Sequence, residues 1–317
     1  MMILVTGAAG FIGYHVCQQL LSRGDTVLAV DNLNDYYDVS LKLARLKQLE
    51  GKASFEFHKL DLCDTEGLDR LLRERPIDRI CHLAAQVGVR ASFKNPFAFQ
   101  KSNLEGFLNI IEAARKKPVK NFVYASSSSV YGNNKKVPFS IEDRTDEPIS
   151  FYAATKRANE LTAHVYHHVF GLPVTGLRFF TVYGPWGRPD MAPFIFTRKI
   201  LTGETIDVFG HGKMKRNFTY IDDIVQGVIL CLDRPQPYAL YNIGNDRTED
   251  LEHFISVIEN LTGKTARKNY TDINPGEMTE TWADIVPLIR DLGYRPTTHI
   301  EAGMQRFISW YREFYKV

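Results

Sequence analysis

Short apolar runs alternate with amphipathic stretches from the start of the chain to about residue 180. The runs "MILVTG" (2–7), "TVLAVD" (26–31), "FEFHKLDL" (55–62), "RICHLAA" (79–85), "NFVYASS" (121–127) and "PVTGLRFF" (173–180) have the length and composition of strands. Between them, "GYHVCQQLLSRG", "LDRLLRER", "EGFLNIIEAARKK" and "FYAATKRANELTAHVYHHVFG" repeat apolar positions at helical spacing. Strands joined by crossover helices pair in parallel, so the expected class is α/β, a Rossmann-type doubly wound parallel sheet. After 180 the rhythm changes. "YGPWGRPDMAPF" carries three prolines and reads as an ordered irregular loop. Helix-like "FIFTRKILTG", "DLEHFISVIENLTG" and "HIEAGMQRFISWYREFY" then alternate with short strands. The expected division is a dinucleotide-binding domain over 1–180 and a smaller α+β substrate domain over 181–317, with some later segments packing back on the first.

Length and composition narrow the class. A chain of 317 residues, 44% apolar, exceeds one ordinary hydrophobic core. The net charge is +2 and the basic residues are spread along the chain, which argues against nucleic acid or a membrane surface as partner. Cys17, Cys63, Cys81 and Cys231 lack CxxC spacing and read as small buried residues in a reducing compartment. "HVYHH" (164–168) has no acidic zincin partner, so no metal site is expected. No apolar run nears the roughly 18 residues of a membrane span, and the opening reaches a glycine turn at once, so a soluble cytoplasmic protein is expected.

The first strand ends in "TGAAGFIG", which spaces Gly7, Gly10 and Gly13 as a tight turn opening a helix. Such a turn lets backbone approach a pyrophosphate at a helix N-terminus. Phe11 and Ile12 lie inside the triplet and join the expected cofactor contacts. Asp31 ends the second strand, placed to accept hydrogen bonds from both ribose hydroxyls; it would repel a 2′-phosphate, and no arginine follows at once in "DNLND", so NAD is preferred to NADP. Asp61 ends the third strand, either at the adenine edge or as a cap on the next helix; Asn32 and Leu62 follow the two aspartates as further cofactor residues.

"YAATK" sets Tyr152 and Lys156 four apart on one helical face. A lysine there is expected to pull the phenol's pKa down and yield a general base. A second match, Tyr131 with Lys135, contains Gly-Asn-Asn and reads as a turn, so Tyr152 is the expected base.

Together the glycine triplet, Asp31, "HLAAQ", "SNLEGFLNIIEAAR", "SSSSVYG", "FYAATK", "RFFTVYGP" and "FTYIDD" resemble the extended short-chain dehydrogenase/reductase family over nearly the whole chain. Within it, "DNLNDYYDVSLKLARL", "GPWGRPDMA", "GKMKR" and "PGEMTETWAD" are most similar to UDP-glucuronate 4-epimerases. The resemblance implies Ser127 as third member of a catalytic triad with Tyr152 and Lys156, with Leu83, Ala84 and Ala85 passing the pyrophosphate and nicotinamide ribose. It also implies that Asn103 supports the active-site helix, that Phe179 and Phe180 flank the nicotinamide, and that the protein is a homodimer pairing helices near 103–117 and 151–170.

The implied reaction is NAD-dependent epimerisation at C4 of a UDP-sugar through a transient ketone. A uronate intermediate is a β-keto acid that can lose CO₂, and the neutral hydroxyls of Ser128, Ser129 and Thr181 suit its carboxylate. Dehydratases and decarboxylases of the family carry an acidic residue where Ser129 stands, and galactose-type epimerases have asparagine in place of Thr181, so uronate epimerisation is favoured over those three activities. Arg216 is expected on the diphosphate, Arg188 on phosphate or sugar, Phe209 at the uracil, and Arg90 in the active site. Two positions depart from the pattern: Asn217 and Glu277 each stand for an aspartate. A non-catalytic NAD-bound regulator is disfavoured, since the triad residues are present.

Overall fold

The computed structural model describes residues 1–73, 75–117, 119–273, 276 and 278–317. Glu277 therefore lies outside the described residues. Strands β1 Met2–Thr6, β2 Thr26–Asp31, β3 Phe55–Lys59, β4 Arg79–His82, β5 Asn121–Ser127 and β6 Val174–Phe179 fall on the six expected runs. A strand from the second half, Tyr238–Ile243, pairs in parallel with β6. Across the sheet the order is Tyr238–Ile243, β6, β5, β4, β1, β2, β3, all parallel, so the direction of winding reverses between β1 and β4. A crevice at the carboxyl ends of those two strands is the place where such sheets hold ligands.

The helices joining the strands are α1 Phe11–Ser22, α2 Val39–Lys47, α3 Thr65–Arg73, α4 Val89–Lys94, α5 Pro96–Phe99, α6 Gly106–Lys116 and α7 Phe151–Phe170. Side chains alternate across the sheet as the pleat requires. Ile3 and Val5 of β1 share a core with Val16, Cys17 and Leu20 of α1, whereas Leu4 packs with residues of α3, α6 and α7 on the other face. Helix α7 begins where Ser150 accepts the Ala153 N–H at 3.1 Å and stops at Gly171, whose φ of +68° is left-handed.

Two segments beyond 180 pack against the first half. Helix Ile221–Asp233 packs on α1, and with Tyr238–Ile243 it completes the sheet and one covering layer. Its apolar residues Ile221, Ile224, Val225, Val228, Cys231 and Leu232 recur at helical spacing, a legible signal that the division at 180 obscures. Helix α2 is another unanticipated element. Its buried face includes Lys42 and Arg45 beside Leu41 and Leu46, so the apolar period is broken by the charges it buries.

Asn217 explains itself in the second half. Its amide donates to the carbonyls of Asn245 (2.8 Å) and Arg247 (2.6 Å), and its oxygen accepts the Asn245 N–H (2.9 Å). An aspartate, with no N–H to give, would face two carbonyls in a fully buried position. Asn217→Asp is expected to lower stability by about 3 kcal/mol, read as a lower urea midpoint at neutral pH that partly recovers as the carboxyl is protonated.

Candidate active site

The glycine turn closes on the sheet. Gly7 adopts φ +73°, and a Cβ on it would lie 2.7 Å from the Ala84 nitrogen; a Cβ on Gly13 would overlap the Gly7 carbonyl. The turn is held by N–H groups of Gly7 and Ala8 donating to the Val30 carbonyl (2.8 and 3.2 Å) and of Ala9 donating to Asp31 Oδ2 (3.1 Å). No side chain caps the N-terminus of α1. Its first-turn N–H groups thus face the crevice, the arrangement that suits an anion.

A cavity of 380 Å³ occupies that crevice. It is lined by Gly7, Gly10, Phe11, Ile12, Gly13, Asp31, Asn32, Asp61, Leu62, Leu83, Ala84, Ala85, Ser127, Ser128, Ser129, Tyr152, Lys156, Phe179, Phe180, Thr181 and Arg188. The expected cofactor and reacting-end residues therefore meet in one place. Arg90, Phe209 and Arg216 are not among its described lining residues. The Arg90 guanidinium lies over the Phe209 ring at 4.6 Å, and Arg216 donates to the carbonyls of Met278 (2.8 Å) and Thr279 (3.1 Å). In this structure backbone carbonyls engage the Arg216 guanidinium and an aromatic face engages that of Arg90.

The two readings of Asp61 separate cleanly. Its carboxylate accepts the Cys63 N–H (2.9 Å) and the Asn32 amide (3.1 Å), while Asp64 accepts the Gly67 N–H at the start of α3. The cap is Asp64, and Asp61 faces the cavity beside Asn32. Burial raises the Asp61 pKa, yet the hydrogen bonds from Cys63 and Asn32 outweigh it and hold the carboxyl below its usual range.

Asn103 sits in a π-helical segment, Gln100–Glu105, ahead of α6. It clamps the chain after β4, accepting the Gln86 N–H (2.8 Å) and donating to the Gln86 carbonyl (3.0 Å) and to Thr155 of α7 (3.0 Å). It supports the helix from behind, not from the cavity.

Strand β5 ends at Ser127, which caps a 3₁₀ turn, Ser128–Tyr131, by accepting the Ser129 N–H at 3.2 Å. The serine run thus turns off the sheet and lays three hydroxyls along the cavity. Ser126 points elsewhere, donating to buried Glu160 at 2.6 Å.

Burial raises the Tyr152 pKa, and the Ser127 hydroxyl and the Arg188 guanidinium work against that rise. This corrects the expectation for Lys156. Its ammonium donates to the Ala125 carbonyl (2.8 Å), and the cation that eases Tyr152 is Arg188. Burial brings Lys156 itself down to about 8, with Glu160 opposing. Arg188 is aimed by Asp190, which also accepts the Tyr36 hydroxyl at 3.2 Å.

Sequence reasoning missed Arg45 and Lys42. Arg45 is fully buried and donates to the carbonyls of Ala9 in the glycine turn (2.9 Å), Trp186 (2.6 Å) and Gly187 (3.3 Å). It ties the turn to the loop bearing Arg188. Lys42 donates to Asn34 (2.7 Å to the carbonyl) and lines the cavity near Asp31. The signal was the buried face of α2 inside "DVSLKLARL".

A parallel sheet with a glycine turn at its switch point and a Ser-Tyr-Lys set opposite defines a dinucleotide-dependent α/β protein acting on a hydroxyl-bearing substrate. The profile of the NAD dependent epimerase/dehydratase family matches residues 3–244, and the chain belongs to that family. It is 46% identical over 332 residues to UDP-glucuronate 4-epimerase 2 of Arabidopsis thaliana, spanning 99% of this chain and 76% of that one. A solved structure of UDP-glucuronic acid 4-epimerase from Bacillus cereus in complex with UDP-glucuronic acid and NAD superposes with TM-score 0.94 at 36% identity, over 99% of this chain and all of that one. UDP-glucose 4-epimerase of Thermotoga maritima superposes with TM-score 0.91 at 30% identity, again over 99% of this chain and all of that one.

The tyrosine of the second YxxxK match packs elsewhere. Tyr131 stacks on Phe139 and donates to buried Asn242 at 2.6 Å, away from the cavity lining. Tyr152→Phe is expected to lower sugar-nucleotide turnover by about 10³-fold. Tyr131→Phe should leave the rate within about tenfold and cost about 1 kcal/mol of stability; equal losses of rate in a side-by-side assay would contradict the assignment.

Proposed function

We propose that this protein is a NAD-dependent isomerase that interconverts UDP-glucuronate and UDP-galacturonate at C4. The observation that carries the reading is that one cavity is lined by Tyr152 and Ser127 together with three further residues bearing neutral hydroxyls, Ser128, Ser129 and Thr181. The named relatives supply the sugar nucleotide.

The residues fit the cofactor. The glycines keep side chains out of the space before α1, whose N-terminus is uncapped, and Asp31 lines the cavity beside them as a ribose acceptor. Gly7, Gly10, Gly13, Asp31, Asp61 and Lys156 would hold NAD. When bound, NAD⁺ supplies a two-electron acceptor that takes a hydride from C4 and returns it.

The chain does the rest. Tyr152 removes the proton of the C4 hydroxyl and Ser127 hydrogen-bonds the same oxygen. Lys156 holds the nicotinamide ribose, while the Arg188 guanidinium eases the Tyr152 phenol towards its phenolate. Ser128, Ser129 and Thr181 bind the C6 carboxylate without placing an acid near the ketone, so the β-keto acid keeps its CO₂. Arg188, within electrostatic reach of Tyr152, belongs at the sugar end and not at the diphosphate. Residues beyond 180 outside the sheet carry the UDP moiety.

The same reading makes the protein a homodimer. Leu108 of α6 and Leu161, Val165 and Val169 of α7 are exposed, an apolar stripe along the two helices expected to pair. Its four free cysteines fit a reducing, cytoplasmic setting, and among the described residues no helix is long and apolar enough to cross a membrane. Proton NMR of purified protein with UDP-glucuronate is expected to show UDP-galacturonate accumulating to an equilibrium mixture. UDP-xylose as main product, or turnover of UDP-glucose alone, would overturn the reading.

A further inference from the structure

Behind the cavity lies a buried ion cluster that the reaction as written does not use. Glu160 follows Lys156 by one helical turn, so Tyr152, Lys156 and Glu160 share a face of α7. The Glu160 side chain is wholly inaccessible. Its Oε1 accepts the Ser126 hydroxyl (2.6 Å) and Arg178 Nε (2.8 Å), and its Oε2 accepts Arg178 Nη2 (2.9 Å) and Arg157 (2.9 Å). Ser126 and Arg178 are register partners on β5 and β6. The Lys156 ammonium is bonded to the carbonyl of Ala125, the residue before Ser126, so a ring closes: Lys156, Ala125, Ser126, Glu160 and back along one turn of α7.

We propose that Glu160 is a positioning residue of the active site: it fixes the strand end that carries Ser127 and supplies the negative charge against which the Lys156 ammonium is buried.

Among the described residues, the other groups facing this pair leave Glu160 as the one anion beside it. Tyr124 of β5, Tyr131 of the 3₁₀ turn and Tyr238 of the last sheet strand all have raised pKa values through burial and stay neutral. His82 of β4 is pushed down to about 3, by burial first and by Lys156 second, so it is neutral too. Arg178 of β6 and Arg157 of α7 are cations, and both are bound to Glu160. Asn103 and Asn159 bring only amides. Burial favours neutral Lys156 and Glu160 favours the charged form. A group whose folded pKa is held near 8 is charged at neutral pH with little reserve, so removing the carboxylate charge should deprotonate it within the working range.

The inference rests on Lys156 being an active-site group, but its first readout does not involve turnover. In ligand-free protein labelled with [ε-¹³C]lysine, the Lys156 signal, identified by its loss in Lys156→Arg, should titrate near pH 8. Glu160→Gln keeps an acceptor for Ser126 and removes the charge; its Lys156 midpoint should move to lower pH, and the alkaline limb of kcat should move with it, with at least a tenfold loss at pH 8. Glu160→Gln orphans Arg178, so Glu160→Gln/Arg178→Met, which replaces the buried pair by uncharged side chains, serves as the folded control and should show the same direction of shift. A Lys156 midpoint and a kcat profile unchanged in a folded variant would overturn the proposal and return Glu160 to a purely structural role. A shifted midpoint in a protein that turns over no uronate would uphold it and refute the substrate reading instead.

Discussion

The absence of a side chain at Gly13 lets α1 start directly beneath the Gly7 carbonyl, and the rest of the site is arranged around that contact. The turn rises far enough to meet the end of β4 at Ala84, and it leaves the helix N-terminus bare at the point where the sheet reverses its winding. Arg45 then carries the position of the turn outward, from the Ala9 carbonyl to those of Trp186 and Gly187. The next residue is Arg188, aimed by Asp190, which Tyr36 in turn bonds. One backbone approach thus sets both the glycine turn and the cation that faces Tyr152.

Charge burial is the second organising feature. Lys156 is almost wholly buried, which lowers its pKa, and a tyrosine in the same cavity is raised for the same reason. Each is unfavourable alone, and each favours its neutral form. Opposite charges correct both: Glu160 on the far side of Lys156, Arg188 on the near side of Tyr152. The serine run divides along the same line. Ser126 faces back into the ion cluster, whereas Ser127, Ser128 and Ser129 face the cavity with neutral hydroxyls, where an acid would promote different chemistry on the same ketone.

Much of this was legible because it depends on local chain chemistry. Short continuous apolar runs located six of the seven sheet strands, and the glycine spacing, Asp31 and the helical YxxxK fall on the cavity lining. What escaped depends on contacts distant in sequence. Helix α2 buries Lys42 and Arg45, and a charged residue announces burial only once its distant carbonyl partners are known. The strand Tyr238–Ile243 follows a helix whose apolar spacing was visible, but nothing local says that it returns to β6. Arg216, Arg90 and Phe209 were placed by motif alone, and in the structure nearby carbonyls and each other engage them. The expected effect of Lys156 on Tyr152 failed for a related reason: spacing on a helix gives proximity, and the direction of the ammonium is set by the Ala125 carbonyl on another element.

In the proposed reaction C4 is inverted by removal and return of its own hydrogen within one cavity. Conversion of UDP-[4-²H]glucuronate in ordinary water tests this directly, with mass and NMR analysis of recovered UDP-galacturonate. Essentially full retention of deuterium at C4 is the predicted result. Loss of the label to solvent, which would mean inversion by proton exchange, would contradict it.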